Sequence, residues 1–373
     1  MSDYLSSELM MEILARLPVT TLLQIRCVCK SWCSLISSDN FVTFRLNRTT
    51  HLNNINNTHL LLIRHFTEDN EKQERFSLYL DNESLTQYHL NLESRPITRI
   101  RPYFHILGSC NGLVCLVDCV TSDSVCLWNP TIRKLVVLPE IRITFCSLRS
   151  YGYGFDSATN DYKVVRIAYV HGGPEVDIYS LKEGCWRLIS PAGDIPIIPF
   201  DVSNASVNGV IHWLCGDRCP CIVSFNLGSE EFSLIELPRS LVQRLIVPVH
   251  RLSIGVFQDS LCVLHNDCVE EGVASIWVMK QYGVVESWTN VFNLDSDGDF
   301  VKVLGLRRNG EVLLTKDEEL FSVDIDTRNL KSLGISGDDA AFCVNTYTES
   351  LVLINKVNGG FGEPAWSSQL QAL

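Results

Sequence analysis

Nothing in the 373 residues approaches the ~20 consecutive apolar residues that a bilayer-crossing helix needs. The longest run near the start, Leu60 to Ile63, is far shorter. The opening MSDYLSSELMMEI carries Asp3 and Glu8 and no basic stretch, so it does not read as a secretory leader. Basic residues are in deficit: 31 Lys and Arg stand against 43 Asp and Glu, a formal net charge of -12. A general nucleic-acid binder would carry a basic face, so neither nucleic acid nor membrane is expected as a partner. Charged residues make up only 20% of the chain and apolar ones 46%, which excludes wholesale disorder and implies a packed core. No nucleophile elbow, P-loop or HExxH is present, and the nine histidines are scattered. No catalytic residue, metal or cofactor is therefore expected. The 15 cysteines are odd in number and irregular in spacing. They read as reduced thiols of a cytoplasmic or nuclear protein, mostly buried as small hydrophobes.

What is present begins with a helical period. Leu9, Met10, Ile13, Leu14 and Leu17 follow i, i+3, i+4, i+7 spacing. Ser6 or Ser7 can cap the start, and Pro18 predicts a stop near Leu17. Thr21 with Gln24 forms a capping-box pattern for a second short helix, and Cys29 to Ser37 predicts a third. Three short helices cannot bury this much apolar surface among themselves. The excess is a candidate interface, for another protein or for the rest of this chain.

The stretch LSSELMMEILARLPVTTLLQIRCVCKSWCSLI resembles the F-box, the segment that docks a protein onto the Skp-family adaptor of a cullin-based (SCF) ubiquitin ligase. The family usually begins Leu-Pro, whereas Ser6 follows Leu5 here. The resemblance implies an adaptor-facing set of Leu5, Leu9, Ile13, Leu14, Leu17, Pro18, Leu22, Leu23, Val28, Cys29 and Trp32, some of which must instead hold the helices together. Residues 1–48 carry Arg16, Arg26, Lys30, Arg45 and Arg48 against Asp3, Glu8, Glu12 and Asp39, a net +1 that suits an acidic adaptor.

Residues 47–58 (NRTTHLNNINNT) are polar and Asn-rich and read as a linker between the F-box (1–46) and a second domain (59–373). Beyond them the pattern changes to short apolar or alternating runs punctuated by Gly, Asn, Asp and Pro, among them GLVCLV, YKVVRIAYV, VIHWL and EVLLTK. These have strand length and composition. They recur in units starting near Gly108, Tyr151, Ala205, Ser253 and Val303, spaced by 43, 54, 48 and 50 residues. Four strands about every fifty residues is the spacing of kelch-type propeller blades. A ring of blades buries the greasy sheet faces and leaves only short edges. The leftover runs HLLLIRH and RFSLYLD early, and AFCVNT and SLVLIN late, could share one blade and lock the circle. The expected fold is multidomain: a small all-α F-box followed by an all-β propeller of about six blades, with seven possible and a β-sandwich pair as the competing architecture.

The segments LGSCNGLVCL, LWNPTIRKLVVLP, YGFDSATNDYKVVRI, VNGVIHWL and IWVMKQYGVVESW resemble the F-box-associated interaction domain of plant F-box proteins, including defence-regulating and S-locus members. The resemblance implies a non-catalytic, substrate-recognition subunit of an SCF ubiquitin ligase, joined to the cullin scaffold through the Skp-family adaptor and to an unidentified protein target through the β domain. A non-degradative complex, a pollen-recognition role and, more remotely, a propeller enzyme are the alternatives.

Single features have structural readings. Gly152 and Gly154 in YGYGFDSATNDYKVV are followed by no helix pattern, so they are not a dinucleotide loop, and Asp156 to Asp161 predicts a polar turn. Asn129-Pro130-Thr131 predicts another turn. Trp186, Trp213, Trp277 and Trp288 recur at related places and are expected to pack within or between blades. The spacing of His212, Cys215, Cys219 and Cys221 does not match common zinc pairs. Asp295, Asp297 and Asp299 lack the rest of a calcium loop.

Overall fold

Four helices open the chain in the computed structural model, which describes residues 6–56, 58–66, 74–87, 104–118, 124–141, 148–171, 173–190, 195–199, 204–216, 220–244, 251–267, 273–295, 301–339 and 341–356. Helix α1 (Ser7–Leu14) is capped by Ser6, whose hydroxyl accepts from the Leu9 backbone N–H at 3.3 Å. The cap does the ordering that a proline would do through its fixed φ. The helix ends at Leu14, short of Leu17, because Pro18 disfavours helical geometry in the residue before it. Tight bonds from Arg16 to Ile13 and from Leu17 to Leu14 finish the turn. Helix α2 (Val19–Ile25) starts directly after Pro18, whose carbonyl accepts from Leu22 N–H at 3.0 Å. Thr21 therefore lies inside the helix, and the capping box predicted for Thr21 and Gln24 does not form. Helix α3 (Lys30–Ile36) falls within the predicted range.

Helix α4 (Asp39–Asn56) differs from expectation: residues 47–56, read as a linker, continue it as helix. Ser38 accepts from Phe41 N–H at 3.2 Å at its start, and no Pro or Gly interrupts it before residue 56. Buried Phe41, Arg45 and Leu46 hold its first half. Polar composition alone does not stop a helix once packing has nucleated it.

Six sheets form among the described residues. The first joins β1 (Leu60–Phe66) and β2 (Glu74–Leu80) to the last of the described strands. The second holds β3 (Phe104–Cys110), β4 (Leu113–Asp118), β5 (Val125–Asn129) and β6 (Lys134–Val137). The third holds β7 (Leu148–Asp156), β8 (Asp161–Val170), β9 (Gly173–Ser180) and β10 (Cys185–Ile189). The fourth holds β11 (Asn204–Val207), β12 (Val210–Cys215), β13 (Cys221–Asn226) and β14 (Phe232–Glu236), followed by the short helix α5 (Arg239–Arg244). The fifth holds β15 (Leu252–Phe257), β16 (Ser260–Asp267), β17 (Val273–Met279) and β18 (Trp288–Asp295). The sixth holds β19 (Val301–Leu306), β20 (Val312–Lys316), β21 (Glu319–Val323) and β22 (Leu330–Ser336). Strand β23 (Cys343–Tyr347) then returns to β1 and pairs Tyr347 with Leu60 and Cys343 with Arg64.

Each first strand approaches the first strand of the next sheet, from β3 through β7, β11, β15 and β19 to β23 and back to β3. The circle is a six-bladed propeller, and the predicted lock is the β2-β1-β23 blade. One part of that prediction fails: SLVLIN (350–355) forms turns, not a strand. Hairpins Asn111-Gly112 and Asn208-Gly209 have positive φ at both residues (51° and 80°, 50° and 76°), as a tight turn between twisted strands requires.

The blades are stitched by polar contacts as well as apolar ones. Indole N–H groups of Trp186, Trp213 and Trp288 donate to Pro139, Tyr151 and Glu236 carbonyls of the preceding blade at 2.8, 2.8 and 3.2 Å. The glycines of YGYGFD make room for this. A Cβ on Gly152 would lie 2.3 Å from the Trp213 ring, and one on Gly154 2.6 Å from Ser206 Oγ. The Asp156–Asp161 turn is anchored by Lys163 Nζ, which donates to Asp156 at 2.9 Å and to the Leu227 carbonyl at 2.7 Å. Arg307, with a fully buried side chain, joins the sixth blade to the first through Asp81 at 2.7 Å, with Glu311 beside it.

Strands alternate in direction, so the first and third turns of each blade share one side of the ring. The helical unit sits on that side. Leu14, Ala15, Val19, Leu22, Ile36 and Phe41 form one buried cluster with Leu351 and Ile354, and Ile132 packs against it. Arg308 donates to Asn54 at 3.1 Å, and Asn355 donates to the Ser37 carbonyl.

Candidate docking face

The helical unit sorts its predicted adaptor-facing residues into two groups. Leu14 and Leu22 are 4% and 0% exposed and belong to the cluster that seats the helices on the propeller. They hold the unit together and have no surface left for a partner. Leu9 and Ile13, one turn apart on α1, are 54% and 50% exposed, and Val28, in the turn before α3, is 69% exposed. Pro18 and Cys29 are exposed too. Leu17, Leu23 and Trp32 are half-buried, each packing against the cluster. Leu5 lies outside the described residues.

The division follows from the helix itself. Leu9 and Ile13 share one stripe of α1 because they are four residues apart. Leu14 and Ala15 lie on another, with Met10 and Met11 beside them, and that stripe faces the rest of the chain. Fully burying an exposed leucine-class side chain contributes about 1.5–3 kcal/mol, so covering the half-exposed Leu9 and Ile13 contributes roughly half that each, and several such contacts together drive a complex after association costs.

Charge is arranged around this face differently from the count. Arg45 is buried and donates to the Leu17 carbonyl at 3.3 Å. Arg48 pairs with Glu12 at 3.2 Å, and the Arg26 guanidinium donates to Ser37 Oγ at 2.8 Å. Arg16 and Lys30 remain as exposed cations. The cationic surplus of the unit is thus partly spent inside it. The thiol of Cys29, in hydrogen-bond contact with Ser31 at 3.1 Å, is held below its usual range by that contact.

Sequence reasoning missed what covers the other side of the unit. The apolar run in SLVLIN was visible, but its period fits a strand as well as a plug. The plug is held from below. Asn129 Nδ2 donates to the Ser350 and Val352 carbonyls at 3.1 and 2.9 Å, and Lys134 Nζ donates to the Ile354 carbonyl at 2.9 Å. The predicted turn at Asn129-Pro130-Thr131 is therefore also the seat of the segment on which the helices rest.

The remaining candidates are accounted for by the fold where it is described. His212 is buried, its Nδ1 donating to the Ala205 carbonyl at 3.2 Å and its Nε2 accepting from the Tyr282 hydroxyl at 2.9 Å. Burial pushes its pKa down to about 4, so the ring is neutral. Cys219, Asp297 and Asp299 lie outside the described residues, as does the side chain of Asp295. Among the described residues, no group of three or more His, Cys, Asp or Glu side chains is placed to hold a metal ion. No helix among them is long and apolar enough to cross a membrane.

Comparison with known proteins agrees with this architecture. Residues 3–44 match the F-box domain, and residues 56–357 match the F-box associated beta propeller domain. An F-box/kelch-repeat protein of Arabidopsis thaliana is 27% identical over 82% of this chain and 84% of its own. A second F-box protein of that plant is 28% identical over 90% of this chain and 88% of its own. F-box protein CPR1, also from Arabidopsis thaliana, is 26% identical over 94% of this chain and 88% of its own. With the helical unit, the six blades and both matches in register, the chain belongs to the F-box proteins that carry an F-box associated beta propeller domain.

Proposed function

We propose that this chain is the substrate-recognition subunit of an SCF-type ubiquitin ligase. The exposed Leu9, Ile13 and Val28, with the half-open Leu17, Leu23 and Trp32, dock a Skp-family adaptor and through it the cullin scaffold. The propeller holds a target protein on the side of the ring away from the helices. Tethering raises the effective concentration of target lysines near the charged ubiquitin-conjugating enzyme, and no covalent step belongs to this chain.

The observation that carries this reading is the split within the F-box. One stripe of α1 is consumed by the propeller, while Leu9 and Ile13 stay at about half exposure, with no covering element among the described residues. The seat matters to the mechanism: Leu351, Ile354 and Ile132 fix the orientation of the helices, so a bound target is presented at a set distance from the adaptor. The test is co-purification of the full chain with a Skp-family adaptor. Leu9→Asp with Ile13→Asp abolishes capture while the melting transition is kept. Undiminished capture by this double variant overturns the assignment of the interface.

Residence in the cytoplasm, the nucleus or both belongs to the same proposal, since reduced thiols suit either compartment. A fluorescent fusion expressed in plant cells reads it directly, and accumulation in the secretory pathway contradicts it.

A further inference from the structure

Cys215 closes β12 and Cys221 opens β13, and the two face each other directly across the pair of strands. Their Sγ atoms are 2.9 Å apart, and the Cys215 thiol also reaches the Cys221 carbonyl at 3.4 Å. Facing residues on antiparallel strands have Cα atoms ~4.5–5.5 Å apart. That lies inside the ~4.4–6.8 Å range a disulfide spans, so the bond needs no rearrangement of the backbone. The zinc question that these cysteines raise in the sequence thus gives way to a different chemistry.

The two thiols are not equivalent. Cys215 is fully buried, whereas Cys221 is partly open to solvent. The hydrogen bond between them pushes the Cys221 thiol down toward the thiolate form. The same contact, reinforced by burial, pushes Cys215 up. One sulfur is therefore accessible and nucleophilic, and the other is held against it as a resolving thiol, the pairing that reversible redox cysteines require.

We propose that Cys215 and Cys221 are a reversible oxidation site for hydroperoxides, closing to a cross-strand disulfide at the mouth of the β12–β13 hairpin. In the first step the Cys221 thiolate attacks a peroxide oxygen. The O–O bond breaks, Cys221 becomes a sulfenic acid, and the departing hydroxide takes a proton and leaves as water. In the second step the Cys215 sulfur attacks the sulfenic sulfur. The S–S bond forms, the S–O bond breaks, and the oxygen leaves as water with the proton given up by Cys215. The two thiols lose two electrons, and hydrogen peroxide gains them as it becomes two waters. A small thiol reverses the bond by exchange.

The connection closed by this bond, residues 216–220, joins the second and third strands of its blade. Cys215 and Cys221 stand at the facing ends of those two strands, so the bond lies on the side of the ring opposite the helical unit, on the side proposed to receive the target. That consequence rests on the proposed function. Formation of the bond does not.

The test uses the full chain treated with hydrogen peroxide, alkylated and digested with trypsin, which cuts at Arg218 between the two cysteines. The expected product is a disulfide linking peptide 188–218 to peptide 219–239, abolished by a thiol reductant. Cys219→Ser retains the link and Cys221→Ser loses it. Failure to form the link at a peroxide dose that oxidises the exposed Cys185 overturns the proposal, as does a link that depends on Cys219. The untreated and treated wild-type maps decide the point even if a variant does not fold. Capture of a Skp-family adaptor is equal for linked and reduced chains. A linked chain that loses capture refutes the placement on the far side. No capture in either state faults the proposed function and leaves the disulfide standing.

Discussion

The side-chain amide of Asn129 donates to both the carbonyl and the hydroxyl of Ser350, at 3.1 and 3.2 Å, across 221 residues of sequence. Its carbonyl oxygen accepts in turn from Thr131 N–H at 3.1 Å and from the Tyr347 hydroxyl at 3.2 Å. One fully buried amide thus ties a turn in the second blade to the strand that closes the ring and to the segment that seats the helices. Asn129→Ala strands several buried polar groups at once. A loss of about 2–4 kcal/mol in denaturant titration is expected, together with weaker adaptor capture.

Arg307 is the corresponding tie between the sixth and first blades. Removing it leaves Asp81, 3% exposed in its side chain, as a buried anion without its guanidinium. Arg307→Met is expected to cost about 3–5 kcal/mol. Asp81→Asn added to it recovers part of that loss, which a double-mutant cycle measures.

Gly152 sets the distance between the third and fourth blades. Gly152→Ala pushes a methyl into the Trp213 ring and the Ile211 side chain, which lie 2.3 and 2.7 Å from the Cβ position. Both neighbours are fully buried and cannot swing away. A destabilisation of about 1–3 kcal/mol follows, readable as a lowered melting temperature with unchanged strand content by circular dichroism.

Acid acts on the Asp156 turn. Burial alone would raise this carboxyl, but hydrogen bonds from Thr159, Lys163 and Ala158 and the Lys163 charge outweigh it and hold the pKa at about 2. The unfolded value is near ~3.9. A depressed folded pKa contributes stability above the unfolded value that is lost as pH falls through the folded one. The stability gap between wild type and Asp156→Asn is therefore full above about pH 4 and shrinks toward pH 2, which denaturant titrations across that range measure.

Leu14 and Leu9 separate folding from docking. Leu14→Asp places a charge in the cluster shared with Leu351 and Ile354 and is expected to unseat or unfold the helical unit. Leu9→Asp changes a side chain that is 54% exposed and leaves the melting transition within about 0.5 kcal/mol of wild type. If both variants lose stability equally, the Leu14 stripe of α1 is not the one that faces Leu351 and Ile354.

The repeat was legible because most blades share a short code: strand-length apolar runs and an Asn-Gly or polar turn, with a tryptophan or glycine at several places where sheets approach. Gly152, Trp213 and the Asp156 turn could be placed as structural from the sequence. Their partners could not, because Trp213 with Tyr151 and Asn129 with Ser350 meet only once the ring is closed. The exposed and buried halves of the F-box were unreadable for the same reason. Leu9 and Leu14 are chemically alike, and what separates them is Leu351, far away in sequence. Helix α4 was missed because its second half is polar. It is held by Phe41 and Leu46 at one end and by the contact of Asn54 with Arg308 at the other. The SLVLIN segment was misread because an apolar run of that length fits a strand and a packed turn equally well.

The return of β23 to β1 carries a cost in time. During synthesis β1 leaves the ribosome with one edge unpaired, long before β23, the strand that covers that edge. Segment 350–356, which gives the helices their footing, comes later still. A chain broken off before that point would carry a loose F-box and a sticky open edge, a product for quality control to remove before it could compete for the adaptor.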